Sequence, residues 1–492
     1  MSSRRNHADL EPVAADITGP NAMAFDRGRS TLRRDRTHSR REQQTARQSK
    51  DAPAKQEAVN TPEHGLSGLY RRAVFSALEP MSHGRLVIET PDGQVHRFGE
   101  STNPRGSLHG LEASIRVLRH DFFRRCFYYG DIGLAEGYLA GDWDTDDLAE
   151  VVSWFILNAE SSPSQSASRR RQKVLNALGW INNLTHRMRA NTVAGSRVNI
   201  ASHYDLSNDF FALFLDPSMT YSSALFDTAS ASPGTGATSP RESLELAQYA
   251  KYERLARLLE LRAGDRVLEI GGGWGAFSRF AAKRYGCHVT SITISQAQFS
   301  WADRLRREEQ LEEAIDLQLV DYRKLTGQFD KIVSIEMLEA VGHEYFDTFF
   351  AQCSSLLKPN GLVALQVITC PDTRYEALRR GVDFIQKHIF PGGLIPSVGA
   401  LVASIGRATD FTVPDLFDFG DSYARTLQMW DDEFEAKLDA VRALGFDEIF
   451  IRKWRYYLLY CKAAFQMRHV SVVQMLLSRP NNHDLAPARP VA

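Results

Sequence analysis

Cysteine is scarce in this 492-residue chain, and its five residues (Cys126, Cys287, Cys353, Cys370 and Cys461) are odd in number with no C-x-x-C spacing. That argues against a disulfide framework and a zinc centre, so no metal is expected and a reducing cytoplasm is. Long apolar runs are missing as well. The richest, Val151-Val152 followed by Trp154 to Leu157, falls far short of the ~18 residues a membrane-spanning helix needs. The N-terminal stretch carries no apolar segment that would read as a secretory signal. Excess charge is absent too: the net value is −1, so the whole-chain balance points to no nucleic acid partner, and electrostatic partners must be sought in local clusters. No internal repeat is found. At ~100–200 residues per domain, the length suggests two or three folded units.

The organisation follows from local pattern. Residues 1–62 have little apolar periodicity and are expected to form a disordered basic tail; between Arg29 and Lys50, eight Lys and Arg face only Asp35 and Glu42. Such a run is either a solvated tail or a weak tether to an anionic partner. A small α+β domain is expected over 63–160. Helical spacing at Leu69, Tyr70, Val74, Phe75 and Leu78 precedes two strands that flank Asp92-Gly93, a hairpin signal, and helical patterns follow at Leu111–Tyr129 and Asp146–Asn158. Residues 161–195 read as a linker followed by a basic amphipathic helix, with Arg169, Arg170, Arg171 and Lys173 leading into an apolar stripe. That helix either lies on an anionic membrane surface or docks its stripe on the next domain. From 196 to 480 strands alternate with helices, the signature of a doubly wound, Rossmann-like parallel sheet; 481–492 is a C-terminal tail.

One loop carries chemistry. Glu269-Ile270-Gly271-Gly272-Gly273-Trp274-Gly275 lies between a strand and a helix, where glycines let backbone approach a ligand and turn tightly. Gly271, Gly273 and Ala276 also fit a loose dinucleotide pattern. Two residues argue against that reading. The next strand ends in Thr293 rather than in an acid for a ribose, and Glu269 would repel a pyrophosphate. Glu269 suits instead a ligand with an ammonium group, such as the methionine end of S-adenosylmethionine, and Asp321 is placed to accept a hydrogen bond from an adenine amine. Methyl transfer is therefore favoured over hydride transfer.

The segment His203-Tyr204-Asp205-Leu206-Ser207-Asn208-Asp209-Phe210-Phe211, then Thr220-Tyr221-Ser222-Ser223-Ala224, resembles the entry to the cyclopropane-fatty-acyl-phospholipid synthase family, which includes mycolic acid cyclopropane synthases. The likeness runs in order through the glycine loop, Thr293-Ile294-Ser295 with Gln298, Ser334 to Gly342, Phe390-Pro391-Gly392-Gly393, and Ser422 to Leu427. It covers about residues 195–480, and the preceding unit looks like that family's small N-terminal domain. The resemblance implies a methyltransferase sheet that contacts S-adenosylmethionine through Tyr221, Ser222, Glu269, Gly271, Gly273, Gly275, Thr293, Ile294, Gln298, Asp321 and Tyr322. It also implies an acyl-chain tunnel capped by aromatics around Phe210-Phe211, Phe384 and Tyr423.

An alkene has no acidic proton, so its π bond must attack the sulfonium methyl and leave a carbocation, which the protein has to stabilise away from water. Glu339 is the candidate for that stabilisation, and Tyr423 could hydrogen-bond the group that takes the proton. In the family a Cys, a Glu, a His and a Tyr, with a backbone N–H matching that of Ile368, cradle a bicarbonate ion. This chain departs from the pattern with Ser223 for the Cys, Gln366 for the His, and Ala340 for a second His after the Glu. Neither Ser223 nor Gln366 is a titrating base near neutral pH. The expected function is C-methylation of unsaturated phospholipid acyl chains by a cytoplasmic enzyme resting on the inner face of the membrane, with bicarbonate as a candidate co-factor. A methylene- or methyl-branched product, alone or mixed with cyclopropane, is favoured over clean cyclopropane. Alternatives are N-methylation of a small amine, as in a related plant alkaloid branch, and a non-catalytic lipid- or S-adenosylmethionine-binding protein. A homodimer is compatible with the reading.

Overall fold

The computed structural model describes residues 65–100, 110–159, 206–226, 240–483 and 485. The basic tail, the stretch 161–195 and the His203-Tyr204-Asp205 motif lie outside the described residues.

The first described unit comprises α1 (Gly65–Leu78), β1 (Arg85–Glu89), β2 (Val95–Phe98), β3 (Glu112–Val117), α2 (Asp121–Leu139), β4 (Trp143–Asp144) and α3 (Leu148–Leu157). Its sheet runs β2-β1-β3-β4. β1 and β2 form the antiparallel hairpin that Asp92-Gly93 signals, with Gly93 at φ +77°. The helix expected from Leu111 is a strand in its first part. Ala113, Ile115 and Val117 are buried while Glu112, Ser114 and Arg116 are exposed, a period of two that suits a half-buried strand parallel to β1. α2 begins only at Asp121.

The larger part begins with α4 (Asn208–Phe214), capped by the Ser207 hydroxyl accepting from the Phe210 N–H, and α5 (Pro240–Leu258). There follow β5 (Arg266–Ile270), α6 (Ala276–Tyr285), β6 (His288–Thr293), α7 (Gln296–Glu308), β7 (Ile315–Leu319), β8 (Phe329–Ile335), α8 (Phe346–Leu356) and β9 (Leu357–Thr369). The chain closes with α9 (Asp372–Arg380), α10 (Phe384–His388), α11 (Val398–Ala408), β10 (Thr412–Asp418), α12 (Gly420–Ala436), α13 (Leu438–Ala443), α14 (Glu448–Gln466) and β11 (Ser471–Ser478). The sheet order is β10-β11-β9-β8-β5-β6-β7. Strands β5 to β9 are mutually parallel, and β11 and β10 add an antiparallel edge.

This topology fixes where a ligand can enter. The chain winds outward from β5 to β6 and β7, then returns on the other side of β5 as β8. The helices after β5 and β8 therefore diverge, which leaves a crevice at the carboxyl ends of these two strands. α14 joins the two parts. Arg452 donates from Nε to the Tyr138 carbonyl at 2.6 Å and from Nη2 to the Trp143 carbonyl at 3.0 Å, and Tyr456 packs on Tyr138. On its other side, Trp454 is buried in a cluster with Phe210, Phe211 and Phe214. Each such ring contributes up to about 3 kcal/mol by leaving water.

Candidate active site

A cavity of about 1190 Å³ opens at the switch point and is lined by both parts of the molecule. Its floor is the glycine loop. The N–H groups of Gly271 and Gly272 bond the Ile292 carbonyl, which turns the chain sharply at the end of β5. A Cβ on Gly272 would sit 2.0 Å from the Ser291 hydroxyl, and Gly273, at φ +54°, faces open space on the cavity side. Only glycine satisfies both demands at no steric cost. Gly275 differs: it starts α6 in the left-handed conformation, against Ala302, and is not among the lining residues.

Glu269 is buried beside this loop and accepts from the Ser291 hydroxyl at 2.5 Å. Burial pushes its carboxyl up to about 7, against the pull of the Ser291 and Ser278 hydroxyls and Arg279. A cationic ligand group would restore its charge. Thr293 donates to the Gln298 side chain at 2.8 Å, and both line the cavity with Ile294. Asp321 is gripped by Arg323, which donates from Nε at 2.8 Å and Nη2 at 2.6 Å; the carboxylate keeps lone pairs for a further donor. Tyr322 is buried beside it. Tyr221 hydrogen-bonds Tyr457 at 2.8 Å, and the Ser222 hydroxyl accepts from Lys251 at 2.7 Å. The expected cofactor residues, apart from Gly275, therefore share one wall.

A second group of side chains converges beside it from distant segments. Glu339 accepts from the Ile368 N–H at 2.5 Å, while among the described residues its second oxygen has no hydrogen-bond partner. Burial, and then the neighbouring Glu336, push the Glu339 carboxyl up to about 8. Glu336, which the sequence reading passed over, lies between Glu339 and the other expected residues. Its Oε1 accepts from the Ser223 N–H at 2.9 Å and the Gln366 side-chain amide at 2.8 Å, and its Oε2 accepts from the Tyr423 hydroxyl at 2.8 Å.

Two expectations change here. Ser223 and Gln366 do not reach the cavity: both are fully buried behind Glu336, and the Ser223 hydroxyl donates to the Ala224 carbonyl. The donors expected to hold a bicarbonate ion are directed at a carboxylate of the chain itself, so the residues present do not fit a separate anion. Phe210, Phe211 and Phe384 are core residues rather than caps of a tunnel. The first two lie in the Trp454 cluster and Phe384 packs on Tyr456. Tyr423 does line the cavity, with Tyr456, Tyr457 and Tyr460.

A signal for Glu336 existed. It directly follows β8 at the switch point, next to β5 whose last residues carry Glu269, and a second acid three residues before Glu339 is unusual on an apolar wall. Among the described residues no helix is long and apolar enough to cross a membrane.

Comparison with known proteins places these features. The family model described as mycolic acid cyclopropane synthetase matches residues 193–475. The tuberculostearic acid methyltransferase UfaA1 of Mycobacterium tuberculosis is 38% identical over 400 residues, which covers 80% of this chain and 89% of the relative. The cyclopropane-fatty-acyl-phospholipid synthase of Escherichia coli K12 is 35% identical over 418 residues, 82% of this chain and 98% of the relative. Among solved structures, mycolic acid cyclopropane synthase CmaA1 complexed with SAH and CTAB superposes with a TM-score of 0.52 at 31% identity, covering 57% of this chain and 98% of that one.

Proposed function

From the premise that this chain belongs to the mycolic acid cyclopropane synthetase family of S-adenosylmethionine-dependent methyltransferases, we propose that it methylates the double bond of unsaturated acyl chains in membrane phospholipid, and that a methylene- or methyl-branched chain is among its products. One observation carries the reading. The cavity runs from the glycine loop past two half-buried carboxylates, Glu336 and Glu339, to apolar walls contributed by α1, α2 and α3, among them Val74, Leu78, Ile132 and Phe155. A small polar amine would have little use for that extension, whereas an acyl chain would fill it.

S-adenosylmethionine supplies an electrophilic methyl group. The chain's own residues do the rest. The glycine loop and Asp321 fix the cofactor, the apolar walls hold the alkene and keep out water, and Glu339 faces the positive charge that develops on the acyl carbon. A carboxylate ~4 Å from a full charge stabilises it by about 4 kcal/mol at an effective dielectric of ~20. The mouth of the cavity favours a lipid surface. Phe127, Tyr128 and Tyr129 line it and are exposed, with Leu69 exposed on α1 and the cations Arg72 and Arg124 flanking them. Aromatic rings beside cations suit an anionic interface.

The test is to incubate the enzyme with methyl-labelled S-adenosylmethionine and vesicles of unsaturated phosphatidylglycerol, then saponify. Label in the fatty acid fraction is expected. Label confined to head groups, or transferred only to added small amines, would overturn the reading.

A further inference from the structure

Glu336 stands in a backbone conformation that side chains avoid. It follows β8 at φ +48°, its N–H bonded to the Gln366 carbonyl at 2.7 Å, and a non-glycine residue there costs about 1–2 kcal/mol. Glycine would fit without that cost, so the position is held for the side chain. That side chain lines the cavity, three residues before Glu339, and takes three hydrogen bonds, from the Ser223 N–H, the Gln366 amide and the Tyr423 hydroxyl.

These donors are themselves fixed from behind. Gln366 Oε1 accepts from Gln474 Nε2 at 2.9 Å, Gln474 Oε1 accepts from Arg254 at 2.8 Å, and Arg254 also bonds Asp415 at 2.9 Å. The chain of bonds leaves no choice of orientation. With its oxygen engaged by Gln474, Gln366 must present its NH2 to Glu336. Gln366 and Gln474 are a cross-strand pair in the sheet interior, fully buried, where polar groups are tolerated only if every bond is made. Burial raises the Glu336 carboxyl, and Lys251, fully buried behind Ser222, opposes that rise with a positive field that favours the carboxylate.

We propose that Glu336 is the proton acceptor of the reaction, a built-in carboxylate that does the work a dissolved anion would otherwise have to do. The inference rests on the proposed C-methylation. In that reaction the alkene π pair forms a bond to the methyl carbon, the methyl–sulfur bond breaks with its pair left on sulfur, and the acyl chain carries a cation. Loss of one C–H proton to a Glu336 oxygen then gives its electron pair back to carbon, as a new C=C or as the third bond of a ring. No oxidant or reductant is needed. A proton next to a carbocation is so acidic that a carboxylate accepting three hydrogen bonds remains a competent base. Glu339, with one donor and a free oxygen toward the cavity, is left to face the charge. Ser223, Gln366 and Tyr423 are then positioning residues, acting through Glu336.

The experiment compares turnover on unsaturated phospholipid vesicles in carbon dioxide-free buffer with and without added bicarbonate. The full-length chain is used, alongside the variants Glu336→Gln and Glu336→Gly. The unmodified enzyme should run at the same rate in both buffers. Glu336→Gln should lose turnover by about 100-fold or more while S-adenosylmethionine affinity, read by calorimetry, moves by less than about three-fold. Glu336→Gly sheds the backbone strain but leaves three buried donors without their acceptor, so it should melt lower than the unmodified protein and regain about ten-fold in rate when formate or bicarbonate is added. Bicarbonate dependence of the unmodified enzyme, or full turnover by Glu336→Gln, would overturn the inference while leaving C-methylation intact. Absence of any methyl transfer to acyl chains by the unmodified enzyme would overturn both.

Discussion

The two walls of the cavity are built on different principles. The cofactor wall is laid on a backbone loop, with its side chains set at the ends of adjacent strands. Gly271 to Gly273 and the ends of β5, β6 and β7 are close in sequence, and their geometry is set by where strands stop and helices start. The chemical wall beside it is made of side chains. Glu336 and Tyr423 face the cavity with Ser223 and Gln366 buried behind them, four segments spread over 200 residues and joined by hydrogen bonds that form only in the folded state. A backbone-built wall suits a ligand whose shape does not vary. A side-chain wall sets what becomes of the acyl carbon, and it can be retuned one residue at a time.

That contrast predicts how each wall breaks. The largest effect belongs to Gly273→Val. At φ +54° the new side chain is strained and projects to the cavity side, so S-adenosylmethionine affinity should fall by about 100-fold or more by calorimetry. An unaltered affinity would remove this loop from the cofactor wall. Glu339→Gln should be the mirror image, with kcat lowered by about 100-fold and cofactor affinity nearly kept, because the acyl cation exists only along the reaction path.

A smaller effect concerns protons. The free protein holds Glu339 and Glu269 with carboxyls raised to about 8 and about 7, so both are largely protonated at slightly acid pH. A cationic ligand favours their ionised forms. Binding should therefore release protons, and affinity should rise by up to about ten-fold between about pH 6 and 7.5. Calorimetry in buffers of unequal ionisation enthalpy reads the release directly; heats that do not depend on the buffer would contradict it. The least effect should come from Ser223→Ala, under about three-fold in turnover, since the backbone N–H and not the hydroxyl reaches Glu336, whereas Gln366→Leu should cost about ten-fold.

The same contrast explains what could be read from sequence. The cofactor wall was legible because glycine spacing, strand ends and helix starts are local signals; α6 begins at Ala276 and ends at Tyr285 as its periodicity indicates. β11 was not, because Ser471–Ser478 is one continuous buried run whose period distinguishes neither strand nor helix, and β10 carries Pro414 on a sheet edge. β3 was taken for helix because its apolar residues merge with those of α2. On the chemical wall, Glu339 and Tyr423 were legible through resemblance alone. Glu336 was not, since its role depends on φ +48° and on donors more than 25 residues away on either side. For Phe210, Phe211 and Phe384 ordinary core packing is the reading any single aromatic favours, and it holds; the tunnel cap came from the resemblance alone.

The most direct test of the account is the mass of the acyl chain after turnover with trideuteromethyl S-adenosylmethionine. If the apolar walls keep water from the cation until a fixed carboxylate removes one proton, each product chain gains a single carbon and no oxygen, and its deuterium content tells which carbon lost the proton. A chain that has gained a methyl group together with a hydroxyl would mean that water reaches the cation first, and would contradict the account.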